Sequence, residues 1–219
     1  MDSRINQLFN NLDKWRHLPA YQLERRADAF FSVYLQDILE AKYGRPCRML
    51  IPEFPIHLPT IDVKIRANLS FKIDYLAILE KPMGLVFVEL KTDPKSRREK
   101  QDLYLTRAQK IGMARLISGL KRIYSATSST DKYDSLVSEL SSAGVLVLKA
   151  KGKFEPVADL PHPEILYIQP NNGTSADNII SFNEVADLMV QIGDSLSTRF
   201  AQSLREWAAV SPGDKKEQL

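Results

Sequence analysis

Asp74, Glu89 and Lys91 are the residues whose types and spacing best suit chemistry. The segment 69–93 that carries them, LSFKIDYLAILEKPMGLVFVELKTD, reads as two short strands joined by a turn at Glu80, Lys81, Pro82, Met83 and Gly84. On the first strand Asp74 shares a face with Leu76 and Ile78, while Phe71, Ile73, Tyr75 and Ala77 take the other. Glu89 and Lys91 end the second strand, and side chains two apart on a strand project side by side. Leu85, Val86, Phe87, Val88 and Leu90 make that strand nearly all apolar, as for a strand covered on both faces. Charges at the end of such a strand are partly desolvated and need partners. Asp74, Glu89 and Lys91 can be those partners, for each other or for a metal.

The elements that must position these residues follow from periodicity. Residues 2–17 hold Ile5, Leu8, Phe9, Leu12 and Trp15 at helical spacing, and Pro19 ends the pattern. A second helix is predicted over 20–43, stopping near Gly44 and Pro46. Glu24 lies in line with Ala27, Phe31, Leu35 and Ile38, so this carboxylate faces the edge of the core, whereas Glu40 beside Gln36 and Asp37 is solvated. Pro52 and Pro55 make 48–57 an edge strand or an irregular one, and 58–68 a loop or hairpin arm. After a basic turn, one long helix is expected over 98–124, with Gln101, Tyr104, Ala108 and Ile111 on its buried side. Residues 125–130 form a small-polar loop and 134–142 a short helix. A buried strand is expected over 144–150, a turn at Lys151, Gly152 and Lys153, and another strand over 164–169. Ser181 and Glu184 have capping-box spacing and open a helical stretch to about 209, bent near Gly193. The expectation is a single α/β domain over 1–211, a central mixed sheet flanked by helices on both faces. Within it, 1–18 is a helical extension, 19–170 the core and 171–211 a C-terminal helical part, with 212–219 a disordered tail.

Composition narrows the classes. A chain of 219 residues suits one sizeable domain. The lone Cys47 excludes an internal disulfide framework and a Cys-rich zinc site. His17, His57 and His162 lie far apart, each near a proline, and form no metal motif. No apolar run approaches the roughly 20 residues that span a bilayer. The start, MDSRINQLFNNLDKW, has acids and amides where a secretory signal needs a basic end and an apolar run, so a cytoplasmic protein is expected. A net charge of +3 says little about nucleic acid, but its distribution says more: residues 91–122 carry ten Lys/Arg against three Asp/Glu.

An acid in one strand, followed by acid-x-Lys at the end of the next and then a helix, resembles the PD-(D/E)xK nuclease superfamily, the restriction-endonuclease-like fold. Here it stands as Ile73-Asp74 and, fifteen residues later, Glu89-Leu90-Lys91, with Ile73 where the family usually has Pro. Members commonly carry a Glu on the first core helix, which Glu24 matches; some carry a Gln and a Tyr after the Lys, matched by Gln101 and Tyr104 at a spacing of three rather than four. The resemblance covers about residues 20–170 and implies metal-dependent hydrolysis of nucleic acid, most naturally DNA. By that resemblance Asp74, Glu89 and Glu24 would hold Mg²⁺ or Mn²⁺, and Lys91 would act on the attacking water or the developing phosphorane. Lys95, Arg97, Arg98 and Lys100 would contact backbone phosphates, and Gln101 and Tyr104 would be accessory. Cutting both strands with one site per chain would imply a homodimer.

Other readings of the same residues stand beside this one. A Glu-x-Lys triplet alone is common, Glu24 paired with Arg25 or Arg26 is an ordinary ion pair, and Gln101 and Tyr104 suit helix-to-sheet packing. Glu53 rivals Glu24 as third acid, although Pro52 and Pro55 obscure its direction. The alternative function is a catalytically silent nucleic-acid-binding or protein-assembly module on the same fold. A purely structural ion network is a third.

Overall fold

The computed structural model describes residues 3–93, 97–172 and 178–209. Lys95 and the expected tail at 212–219 lie outside the described residues. The chain opens with α1 (Ser3–Trp15) and α2 (Leu23–Tyr43), then β1 (Cys47–His57), a short α3 (Leu58–Ile61), β2 (Ser70–Leu79) and β3 (Gly84–Leu90). Helices α4 (Glu99–Ile111), α5 (Met113–Ala126) and α6 (Thr130–Ser142) follow. The remainder is β4 (Leu146–Ala150), β5 (Lys153–Pro156), β6 (Glu164–Gln169), β7 (Ile179–Ser181), α7 (Phe182–Ile192) and α8 (Ser195–Ala209).

The architecture is α/β with a mixed five-stranded sheet in the order β1-β2-β3-β6-β7. β1, β2 and β3 pair antiparallel, while β6 and β7 pair parallel. The chain forms two compact units: one of Met1–Lys42, Leu90–Arg98 and Leu166–Leu219, the other of Tyr43–Glu89 and Glu99–Ile165. No helix among the described residues is long and apolar enough to cross a membrane.

In the first unit the stripe on α2 is buried as its spacing requires, with Ala27, Phe31, Leu35 and Ile38 all at most 2% exposed. Phe9, Phe31, Phe200 and Trp207 pack as tilted or edge-on aromatic pairs, bringing α1, α2 and α8 together. A charged network lies in the same interior. The Asp13 carboxylate accepts from Arg199 Nη2 at 2.7 Å and from Trp207 Nε1 at 2.8 Å, and Arg199 also donates to Asn10 and Ser203. Ser181 and Glu184 form the capping box at the start of α7. The helical stretch divides at Gly193, whose φ of 74° ends α7.

In the second unit β1 lies at the sheet edge, where Pro52 and Pro55 lose no ladder bond that matters. All seven residues of β3 are buried. Two expectations need correction. The helix expected over 98–124 is two, because Gly112 between α4 and α5 adopts φ 79° and ψ 160°, a conformation no helix contains and one that glycine alone takes without strain. The ring of His162 lies 3.1 Å from where a β-carbon on Gly112 would stand, and its Nδ1 is 3.0 Å from the carbonyl of Gln109, in the last turn of α4. The strand expected to be buried over 144–150 is an exposed ribbon instead: β4 pairs only with β5, and Val147 and Leu148 are each 43% exposed. A short apolar run does not by itself distinguish a core strand from a hairpin arm, and the turn at Lys151 and Gly152 folds this one onto its own neighbour.

Candidate functional site

Asp74, Glu89 and Gln101 lie in the second unit. Glu89, near the end of β3, is 1% exposed. The side-chain amide of Gln101, in the first turn of α4, donates to Glu89 Oε1. The β2–β3 register pairs Tyr75 with Val88, and carried one residue further it sets Asp74 across from Glu89. Asp74 is half-buried. Gln101 therefore reaches Glu89 from the helix. Tyr104, three residues on, packs its ring against Phe71 at 5.6 Å, with the Lys100 ammonium 5.8 Å over it. Glu53 is turned elsewhere, paired with Lys72 at 2.7 Å on exposed surface.

Lys91 and Glu24 lie in the first unit. Lys91 is 4% exposed, its backbone N–H donates to the carbonyl of Ile168 at 2.9 Å, and its ammonium lies 3.8 Å from Glu24 Oε1. Glu24 is thus directed at Lys91. Of the two arginines that follow it, Arg26 lies over the Tyr21 ring at 5.1 Å. Around Glu24 a cleft of about 450 Å³ opens, lined also by Thr92, Asp93, Arg98, Arg25 and Arg16. Arg98 therefore belongs to the cleft, whereas the Arg97 guanidinium is stacked 4.0 Å from the centre of the Tyr167 ring.

Arg16 is the cleft residue that sequence reasoning passed over. It is 7% exposed, and its Nη2 donates to the carbonyl of Trp207 at 3.5 Å. Burial pushes its pKa below the ordinary guanidinium value, against the opposing charges of Glu206, Asp13 and Asp93. A signal existed in the sequence. Arg16 stands four residues after Leu12 and seven after Phe9, the same kind of alignment that singled out Glu24.

No family model matches the chain, nor does any curated protein or solved structure. What the site can do rests on its own chemistry. Among the described residues no group of three or more His, Cys, Asp and Glu side chains is placed to hold a metal ion. Asp74 and Glu89 form a pair of hard oxygen donors, which fits a cation such as Mg²⁺ that takes one or two carboxylates and keeps several waters. It does not fit a cation that needs an all-protein cage. A buried carboxylate and a buried ammonium two residues apart in the chain make the end of β3 a costly feature for stability alone.

Proposed function

We propose that this chain hydrolyses phosphodiester bonds in nucleic acid, DNA first, with a divalent cation, on a restriction-endonuclease-like version of its α/β fold. One observation carries it: Glu89 and Lys91, 1% and 4% exposed, each have a polar partner from a helix, Gln101 for Glu89 and Glu24 for Lys91. Buried charges of opposite sign, each oriented by a second group, are what pre-organised electrostatic catalysis requires.

Asp74 and Glu89 would hold Mg²⁺ or Mn²⁺. When bound, the ion supplies polarisation of a phosphoryl oxygen and a more acidic water. Gln101 restrains the Glu89 carboxylate to one orientation. Lys91, two residues on from Glu89 in the chain, would supply positive charge where negative charge develops on the attacked phosphate. Glu24 acts on Lys91, holding the ammonium in place rather than completing a three-acid cage. Arg98 in the cleft beside Glu24 is the cation best supported as a backbone contact. Cleavage of both strands would take two copies of the chain.

The test is hydrolysis of labelled single- and double-stranded DNA and RNA with Mg²⁺ or Mn²⁺. Wild type should cut DNA, and Glu89→Ala and Lys91→Ala should each lose about a hundredfold or more. Activity that survives both substitutions ends this assignment.

A further inference from the structure

A second cavity, broadly open to solvent and of about 490 Å³, lies in the second unit and shares no residue with the acids and lysine above. Arg66, Lys121 and Arg122 line it together with His57, Asn68 and Ser125, and no carboxylate does. In a chain whose net charge is only +3, three cations around one cavity are a local concentration that solvent alone does not require. Lys121 has one acidic neighbour outside the cavity lining, Glu155, at 2.7 Å.

The cavity has a rigid frame. His57 is 4% exposed, with Nδ1 2.7 Å from the Thr60 hydroxyl and Nε2 2.9 Å from Asn68 Oδ1. Since Oδ1 can only accept, the ring carries a proton on Nε2, and this bond leaves the Asn68 NH₂ to donate elsewhere. The loop that bears Arg66 is closed at its base by the Leu58 N–H on the Leu69 carbonyl at 2.9 Å. On the other wall, a β-carbon on Gly119 of α5 would stand 2.7 Å from Thr60 Oγ1 and 3.1 Å from His57 Cβ. Glycine there lets α5, the helix that carries Lys121, Arg122 and Ser125, seat directly on His57 and Thr60.

We propose that this cavity binds a phosphate group, through the guanidinium groups of Arg66 and Arg122 and the Lys121 ammonium, with the Asn68 NH₂ as a neutral donor; the Ser125 hydroxyl already donates to the Lys121 carbonyl at 2.9 Å. Planar, forked guanidinium groups suit phosphate oxygens, and His57 braces the frame without touching the ligand. A nucleic-acid strand is the carrier of that phosphate, a point that rests on the hydrolase proposal; inorganic phosphate or pyrophosphate offers the same chemistry.

The experiment uses the full chain without divalent ions. Fluorescence anisotropy of a labelled duplex, over a range of salt, compares wild type with Arg66→Ala/Arg122→Ala and with Lys110→Ala/Arg115→Ala, which removes two exposed charges outside the cavity lining. The cavity variant should weaken binding about tenfold or more and flatten the salt slope by about 1 to 2. The control should retain most of the affinity, and both variants should melt as wild type does. Equal losses in the two variants, or none in the cavity variant, overturn the proposal. A parallel titration follows pyrophosphate by calorimetry. Pyrophosphate binding that the cavity variant loses, without DNA binding by wild type, upholds the phosphate site and removes nucleic acid as its carrier. If wild type binds neither ligand, the site does not exist. Duplex bound through the cavity but left uncut when Mg²⁺ is added sinks the hydrolase proposal and leaves this one standing.

Discussion

Glu24, in the first turn of α2, and Lys91, one residue past β3, form an ion pair of 3.8 Å in which the ammonium is 4% exposed and the carboxylate 38%. The pair is asymmetric. Lys91 bears nearly the full penalty of leaving water, and Glu24, on the wetter side, is a counter-ion to it. That asymmetry makes the two residues separable by experiment.

Glu24→Gln should lower stability by about 1 kcal/mol, well below the value for a fully buried pair because the carboxylate is more than a third exposed. Lys91→Met keeps the apolar stem and removes the buried charge, so stability should stay within about 1 kcal/mol of wild type or rise. The double variant should be less destabilised than the sum of the single ones predicts. Urea unfolding measures all three. Folded but inactive Lys91→Met is the result a catalytic lysine gives; a strongly destabilised one points to a structural network.

Gln101 is the donor held against Glu89, so its replacement probes a buried carboxylate directly. Gln101→Leu should cost about 1–3 kcal/mol by removing that donor. Gln101→Glu should cost at least as much at neutral pH, since two carboxylates then face each other and one is forced to hold a proton. A carboxyl whose pKa is raised by folding adds stability below its unfolded value, and that contribution is lost as pH rises through the folded one. Gln101→Glu should therefore recover toward acid pH relative to Gln101→Leu. Melts from neutral down to acid pH follow it, and parallel curves would show that Gln101 does not face Glu89.

The bond of Asp13 to Arg199 and Trp207 ties α1 to α8 with both charged groups at most 8% exposed. Asp13→Ala leaves the Arg199 guanidinium without its buried counter-ion and should cost about 3–5 kcal/mol. Arg199→Met in the same chain should return part of that loss. Denaturant midpoints of the single and double variants test the pair, and independent, additive losses would refute the coupling.

The Tyr34 hydroxyl donates to the Asp194 carboxylate at 3.1 Å, and the same carboxylate caps α8 through the Leu196 and Ser197 N–H groups. Those bonds, Ser197 first, hold the Asp194 carboxyl below its ordinary pKa, while burial, with the Asp194 bond added, pushes the Tyr34 hydroxyl up to about 12. For Asp194, folded pKa below unfolded, the contribution is present above about pH 4 and is lost as pH falls through the folded value. For Tyr34, folded above unfolded, it is present below the ordinary value of 10.0 and is lost as pH rises to about 12. Subtracting Tyr34→Phe from wild type should therefore give a stability difference that holds at neutral pH and decays on the alkaline side. Asp194→Asn keeps a good cap without the charge, so its stability should converge with wild type at acid pH.

Periodicity alone located much of the frame. The run from Leu85 to Val88 announced a strand buried on both faces, the Ala27, Phe31, Leu35 and Ile38 stripe announced the inner face of α2, and Ser181 with Glu184 announced the start of α7. The prolines of β1 announced an edge. Each is a local rule, in which backbone geometry repeats every two or 3.6 residues and burial follows the repeat. The Glu89-x-Lys91 spacing is read by the same rule, but β3 itself ends at Leu90, one residue short of Lys91.

Tertiary structure decided the partners. The sequence offered Arg25 and Arg26 to Glu24, and folding gave it Lys91; it offered Gln101 and Tyr104 alike, and only Gln101 meets Glu89. Gly112 divided one long amphipathic pattern into two helices, and the Lys151–Gly152 turn drew the 146–150 strand out of the main sheet. Asp13 and Arg199 entered the interior unannounced, since a buried charge is tolerated only where a distant segment supplies its partner. The reason is physical: repeats along the chain are fixed by bonded geometry, whereas the pairing of two side chains depends on which elements meet, and that is settled by the burial of the whole core.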